Sequence, residues 1–86
     1  MDAKSRLEFI QDNYPDVLIA DGFDKAIMGI VERFGMNPVV LYNKNKCINI
    51  MIKRDGMTEE EAIEFYYYNI VGAYMGDYTP CFAEVL

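Results

Sequence analysis

The sequence contains no histidine, a single serine (Ser5) and two cysteines, Cys47 and Cys81. These scarcities remove much of enzyme chemistry. Without imidazole, the usual base beside a nucleophile is missing, and Ser5 sits in an N-terminal helical segment. Both cysteines lie in apolar stretches with no activator evident in the sequence, so they read as inert core thiols. Neither belongs to a CxxC or Cys/His spacing, which argues against zinc. Gly72 and Gly76 are not followed by Lys-Ser/Thr, so there is no phosphate loop. A carboxylate pair such as Asp21 with Asp77 is the acid–base option that remains, and nothing demands it. The expectation is a protein that is not an enzyme and uses no cofactor and no metal.

A long apolar run is also missing. The N-terminal stretch MDAKSRLEF is charged, so neither a signal peptide nor a membrane span is expected, and the thiols suggest the cytoplasm. Basic residues are few: 14 acidic against 8 basic side chains leave a net charge of −6. That balance disfavours direct nucleic-acid binding and anionic membranes, and suits solubility or a basic partner. The 86 residues fit one domain, 1–86. At 52% hydrophobic, with seven Tyr, five Phe and six Met, the chain has a generous core for its length. A domain this small can also borrow core from a second copy.

Punctuation divides the chain. Asp2 caps a short helix over residues 3–11, and Asn13-Tyr14-Pro15-Asp16 ends it. Val17 to Ala20 reads as a buried strand or extended segment, and Asp21-Gly22 as a turn. Residues 25–34 are ambiguous: Ala26, Ile27, Ile30, Val31 and Phe34 fit a helical stripe, while Gly29 and the β-branched residues fit a strand. Val39 to Tyr42 is a strand. Asn43 caps a helix over 44–55, with Cys47, Ile48, Met51 and Ile52 on one side and Gly56 as its stop. Thr58 and Glu61 form a capping box for a second helix reaching residue 74. Glu59, Glu60 and Glu61 sit at its positive end, which explains the acidic run without catalysis. Thr79 to Val85 reads as a terminal edge strand, where Pro80 is tolerable.

The row Tyr66-Tyr67-Tyr68 poses the main question, because three neighbours on a helix point three ways. One frame puts Ile63, Tyr67, Ile70 and Tyr74 inward. The other buries Ala62, Phe65, Tyr66, Asn69 and Ala73, and then the Asn69 amide needs partners. Either frame leaves a stripe of large side chains outside, which is a candidate binding wall. Asp21 and Asp24 flank a turn and read as turn chemistry, with a hard-cation site near Asp77 and Asn69 as the weaker alternative.

Several motifs together carry a resemblance: Asp21-Gly22-Phe23-Asp24, Lys46-Cys47-Ile48, Gly56-Met57-Thr58 with Glu60-Glu61-Ala62, Asn69-Ile70 with Gly72-Ala73, and Thr79-Pro80 with Phe82. The string resembles a family of small uncharacterised proteins found in bacteriophage and prophage genomes, over residues 17–85. The resemblance implies a strand–turn–strand, so a β-hairpin is expected over 25–33 and 38–42. It also implies an acidic residue where Tyr67 stands. That would point Tyr67 outward and favour the frame with Phe65, Tyr66 and Asn69 inside. Residues 1–16 fall outside the resemblance, as an extension to a 17–86 core.

The expected fold is α+β: a small antiparallel sheet, made of a hairpin and a C-terminal edge strand, packed on a helix–turn–helix pair with a short N-terminal helix. The expected function is a binding protein that engages a host protein. It would use Ile63, Tyr67 and Tyr74 with Glu60 and Glu64, while Asn69, Thr58, Asp21 and Asp24 serve as structural polar groups. Inhibition of a bacterial defence system, including CRISPR-type nucleases, is what the phage resemblance suggests. The alternatives are a homo-oligomeric sponge for a nucleotide-like ligand and a purely structural self-assembly module.

Overall fold

Local capping sets the helices. The computed structural model describes residues 1–86. Helix α1 spans Ala3–Asn13, and the Asp2 carboxylate accepts the Ser5 N–H at 2.7 Å. Helix α2 spans Lys44–Asp55, where Asn43 Oδ1 accepts the Lys46 N–H at 3.0 Å. It stops at Gly56, whose φ of 70° is the left-handed conformation that favours glycine. Helix α3 spans Glu59–Phe65 and opens with the full capping box: Thr58 Oγ1 accepts the Glu61 N–H, and Glu61 accepts the Thr58 N–H at 2.9 Å. Each device satisfies amides that a helix start leaves open.

The sheet has three strands in the order β1-β2-β3: β1 is Ile27–Val31, β2 is Val39–Asn43 and β3 is Cys81–Ala83. Strands β1 and β2 form an antiparallel hairpin with an irregularity at Met28, so the strand reading of this region holds and the helical one does not. Helix-like geometry is limited to one 3₁₀ turn, Asp24–Ala26, just before β1. Strand β3 departs from the expected antiparallel sheet. It pairs parallel to β2, with Leu41 opposite Cys81 and Tyr42 opposite Phe82. Residues 44–80, with both helices, form the long crossover that a parallel neighbour requires. Residues 17–20 are not a strand either. One of their amides is satisfied by a side chain instead: the Ala20 N–H donates to Tyr42 Oη at 2.7 Å.

The core lies between the sheet and the helix pair. Ile27, Val40 and Tyr42 from the strands meet Cys47, Ile48 and Met51 from α2 and Ala62 and Tyr66 from α3. Phe23 and Ala26 close it from the turn. Helix α1 joins the same cluster through buried Ile10, with Leu7 and Tyr14 packed beside it. The first 16 residues, read in the sequence as an extension, thus supply part of the central packing. Tyr42 stacks on Phe82 with ring centroids 5.5 Å apart, and Tyr66 meets Phe82 edge-on at 5.7 Å. These aromatic contacts fasten the short strand β3 to the body, each worth about 0.5–1.5 kcal/mol beyond burial.

Candidate functional site

The tyrosine row resolves clearly. Tyr66 is 2% exposed and belongs to the core, Tyr67 is 50% exposed, and Tyr68 is 78% exposed. Helix α3 changes pitch here. Residues Tyr66–Val71 form a π-helical turn, closed by the Gly72 N–H donating to Tyr67 O at 3.2 Å. A Cβ on Gly72 would stand 3.0 Å from Tyr67 O and 3.1 Å from Tyr68 O, so the glycine permits this tight closure. The wider turn breaks the α-helical phase on which both sequence frames rest.

Neither frame survives whole. Ala62 and Tyr66 face in, but Phe65 and Asn69 are exposed and line an open groove of about 420 Å³ against residues 18–21. Asn69 therefore does not serve as a buried polar group. Ile70 packs against the core, although the first frame placed it with Tyr67. Tyr74 lies beyond the helix, and its hydroxyl is 3.4 Å from the Asp77 carboxylate. Helical spacing thus does not align Tyr74 with Ile63 and Tyr67. Glu60, Ile63, Glu64 and Tyr67 do share one exposed face of α3 by the three- and four-residue spacing.

Tyr67 is held in place although it is half-exposed. Its hydroxyl accepts from Lys44 Nζ at 2.6 Å, and its ring meets Tyr66 edge-on at 5.2 Å. Lys44 also donates to Glu84 Oε1 at 2.7 Å. The Glu84 carboxylate and then the Tyr67 hydroxyl raise the Lys44 pKa, and the ammonium in turn lowers that of Glu84. Lys44 therefore joins the start of α2, the outer face of α3 and the residue after β3. Tyr67 points outward as expected, but its hydroxyl is paired, and what it offers outward is the ring. Beside it Val71, Pro80 and Cys81 line a shallow groove of about 500 Å³.

The buried thiol and phenols are poor nucleophiles. Burial pushes Cys47 up to about 11 and Tyr42 and Tyr66 up to about 12. Cys81 is exposed and free. Asp21 is exposed, and Asp24 starts the 3₁₀ turn. No three His, Cys, Asp or Glu side chains come together in a way that could hold a metal ion. No helix is long and apolar enough to cross a membrane.

Two features escaped the sequence reading. The first is charge segregation: residues 55–86 carry Asp55, Glu59, Glu60, Glu61, Glu64, Asp77 and Glu84 and no Lys or Arg. Counting charge by segment would have found it. The second is a groove between α2 and the 22–25 turn where Lys25, Lys46, Lys53 and Arg54 gather. Lys46 and Lys53 recur at helical spacing, but Lys25 reaches them only through the tertiary fold. Comparison of the chain with family models, curated proteins and solved structures gives no match.

Proposed function

We propose that the protein is a non-catalytic binding module that docks another protein on the outer face of α3. One observation carries this reading. Ile63, Tyr67 and Val71, four residues apart in turn, are all substantially exposed, and Phe65, Tyr68, Tyr74 and Met75 are exposed on other sides of the same stretch, 63–75. Small soluble domains seldom leave so many large apolar side chains in water without a use for them. Aromatic anchors that are already ordered lose little entropy on binding, and the Lys44 tether orders Tyr67 in advance.

Charge selects the partner. Glu59, Glu60 and Glu64 surround the apolar face, and the whole 55–86 segment lacks a cation. The complementary surface is an apolar groove rimmed by Lys and Arg, into which α3 lays its Ile63–Tyr67 line. The phage-type resemblance suggests a partner in a bacterial host, and interference with a defence system as the role.

Affinity capture from bacterial lysate tests the reading. Wild-type protein should retain a partner, and the yield should fall as salt rises. Phe34→Glu, at an exposed aromatic in the hairpin loop, should capture equally well, whereas Tyr67→Glu should lose the partner. Equal recovery by the Tyr67 variant removes α3 from the interface.

A further inference from the structure

All eight basic side chains lie within the first 54 residues, and half of them meet at one place. Lys46 and Lys53 project from the exposed face of α2. Lys25 approaches from the turn before β1, and Arg54 closes the end. The space between them is an open groove of about 690 Å³, within the usual range for small-molecule sites.

The four cations are not equivalent. Arg54 is already committed: Nε and Nη2 donate to the Asp55 carboxylate at 3.0 and 2.9 Å, and Nη1 donates to Gly22 O at 2.8 Å. Its guanidinium carbon also lies 5.2 Å from the centre of the Phe23 ring. Arg54 is a brace that fixes the 22–25 turn against α2 and so sets the groove's width. Lys25, Lys46 and Lys53 take part in no ion pair; the ion pairs of the protein are Lys44–Glu84 and Arg54–Asp55. Acidic residues outnumber basic ones in this chain, yet only Asp24 among them lines the groove. Three lysines thus line one concavity, and the carboxylates of the chain leave them without an ion-pair partner there.

We propose that this groove binds a small polyanion bearing a phosphate chain, of the class of nucleoside triphosphates and inorganic polyphosphates, through Lys25, Lys46 and Lys53. Three unpaired ammoniums call for a ligand with several negative charges in a short span. A triphosphate supplies them, and a single carboxylate does not. Lysine suits the task as a compact point charge with three rotatable donors. Asn49, on α2 between Lys46 and Lys53, adds an amide that can donate or accept for an uncharged part of the ligand. A long nucleic acid fits less well, because its backbone would run on past the groove over a protein of net charge −6. The site lies apart from the α3 face, and either proposal can fail without the other.

Calorimetric titration with tripolyphosphate and with ATP, in the absence of divalent metal, tests this. Both should bind at low ionic strength, more weakly as salt rises. Equal affinities would assign recognition to the phosphate chain, and tighter ATP would add the nucleoside. The Lys46→Glu/Lys53→Glu double variant should weaken binding by about tenfold or more, given the strength of charge-assisted contacts. Both positions are solvent-exposed, so the fold should persist, as circular dichroism can verify. Lys4→Glu, a charge change outside the groove, should bind as wild type does. Amide chemical-shift changes should cluster at residues 22–25 and 46–54. The proposal is overturned if neither probe binds, if the double variant binds normally, if Lys4→Glu loses as much affinity as groove variants, or if a DNA duplex outcompetes ATP.

Discussion

Replacing Tyr42 by Phe isolates one hydrogen bond. The Tyr42 ring is fully buried, and its hydroxyl accepts the Ala20 N–H at 2.7 Å across 22 positions of sequence. Phe retains the ring and its stacking on Phe82. What disappears is the acceptor for an amide that no strand partner serves, since residues 17–20 are outside the sheet. Losing an ordinary hydrogen bond costs about 0.5–1.5 kcal/mol, and orphaning a buried donor costs about 1–3 kcal/mol. The Ala20 amide is only partly buried, so water can reach it in part, and the expected loss is about 1–2 kcal/mol. In a domain of this size that lowers Tm by roughly 5–10 °C. Thermal unfolding followed by circular dichroism measures the loss, and hydrogen exchange locates it. Protection at the Ala20 amide should fall, with little change along β1 and β2. Unchanged Tm together with unchanged protection at Ala20 would refute the assignment of that hydroxyl as the support of the 17–20 segment.

Gly22→Ala should destabilise by about 1–2 kcal/mol from the left-handed backbone alone. Gly22 has φ +85°, and the new Cβ would stand 2.6 Å from Arg54 Nη1, pushing the brace aside. Urea unfolding measures the loss, and a variant as stable as wild type would refute the cost assigned to the left-handed backbone at Gly22. Alkali should weaken the fold. Cys47, Tyr42 and Tyr66 have pKa values raised by burial to about 11, 12 and 12, above the ordinary thiol and phenol values. The unfolded chain therefore releases these protons first, and stability should be intact below about pH 9 and decline toward about pH 12. Flat stability across that window contradicts the burial argument, and Tyr42→Phe should lessen the decline.

What the sequence made legible is local. Asp2, Asn43, Gly56, Thr58 and Glu61 all act within a few residues of themselves, and each does in the structure what its position implies. The α+β class and the helix pair follow from such signals. The hairpin is not decided by local pattern, because the β-branched residues and Gly29 fit two periodicities at once, and pairing with β2 settles it. Three features are not legible in that way: two depend on distant partners, and one is a local change of helix pitch. The direction of β3 is set by β2 on the far side of both helices. The π turn shifts the phase of Asn69, Ile70 and Tyr74, so counting by 3.6 misplaces them. Residues 17–20 look strand-like, but Tyr42 takes the Ala20 amide that a neighbouring strand would have used.

The parallel seam between β2 and β3 also bears on the order of folding. The hairpin closes over a few residues, whereas Leu41 must find Cys81 after the whole helical crossover is in place. Long-range pairing of this kind comes late and carries the larger loop-closure cost. A ribbon of three residues that arrives late is also readily peeled away. Transient detachment would uncover Tyr42 and Tyr66 and carry Glu84 off Lys44, leaving the ammonium that holds the Tyr67 hydroxyl without its ion-pair partner. The steadiness of the outer α3 surface thus rests on a seam far along the chain, and loosening β3 should blur that surface before the central packing gives way.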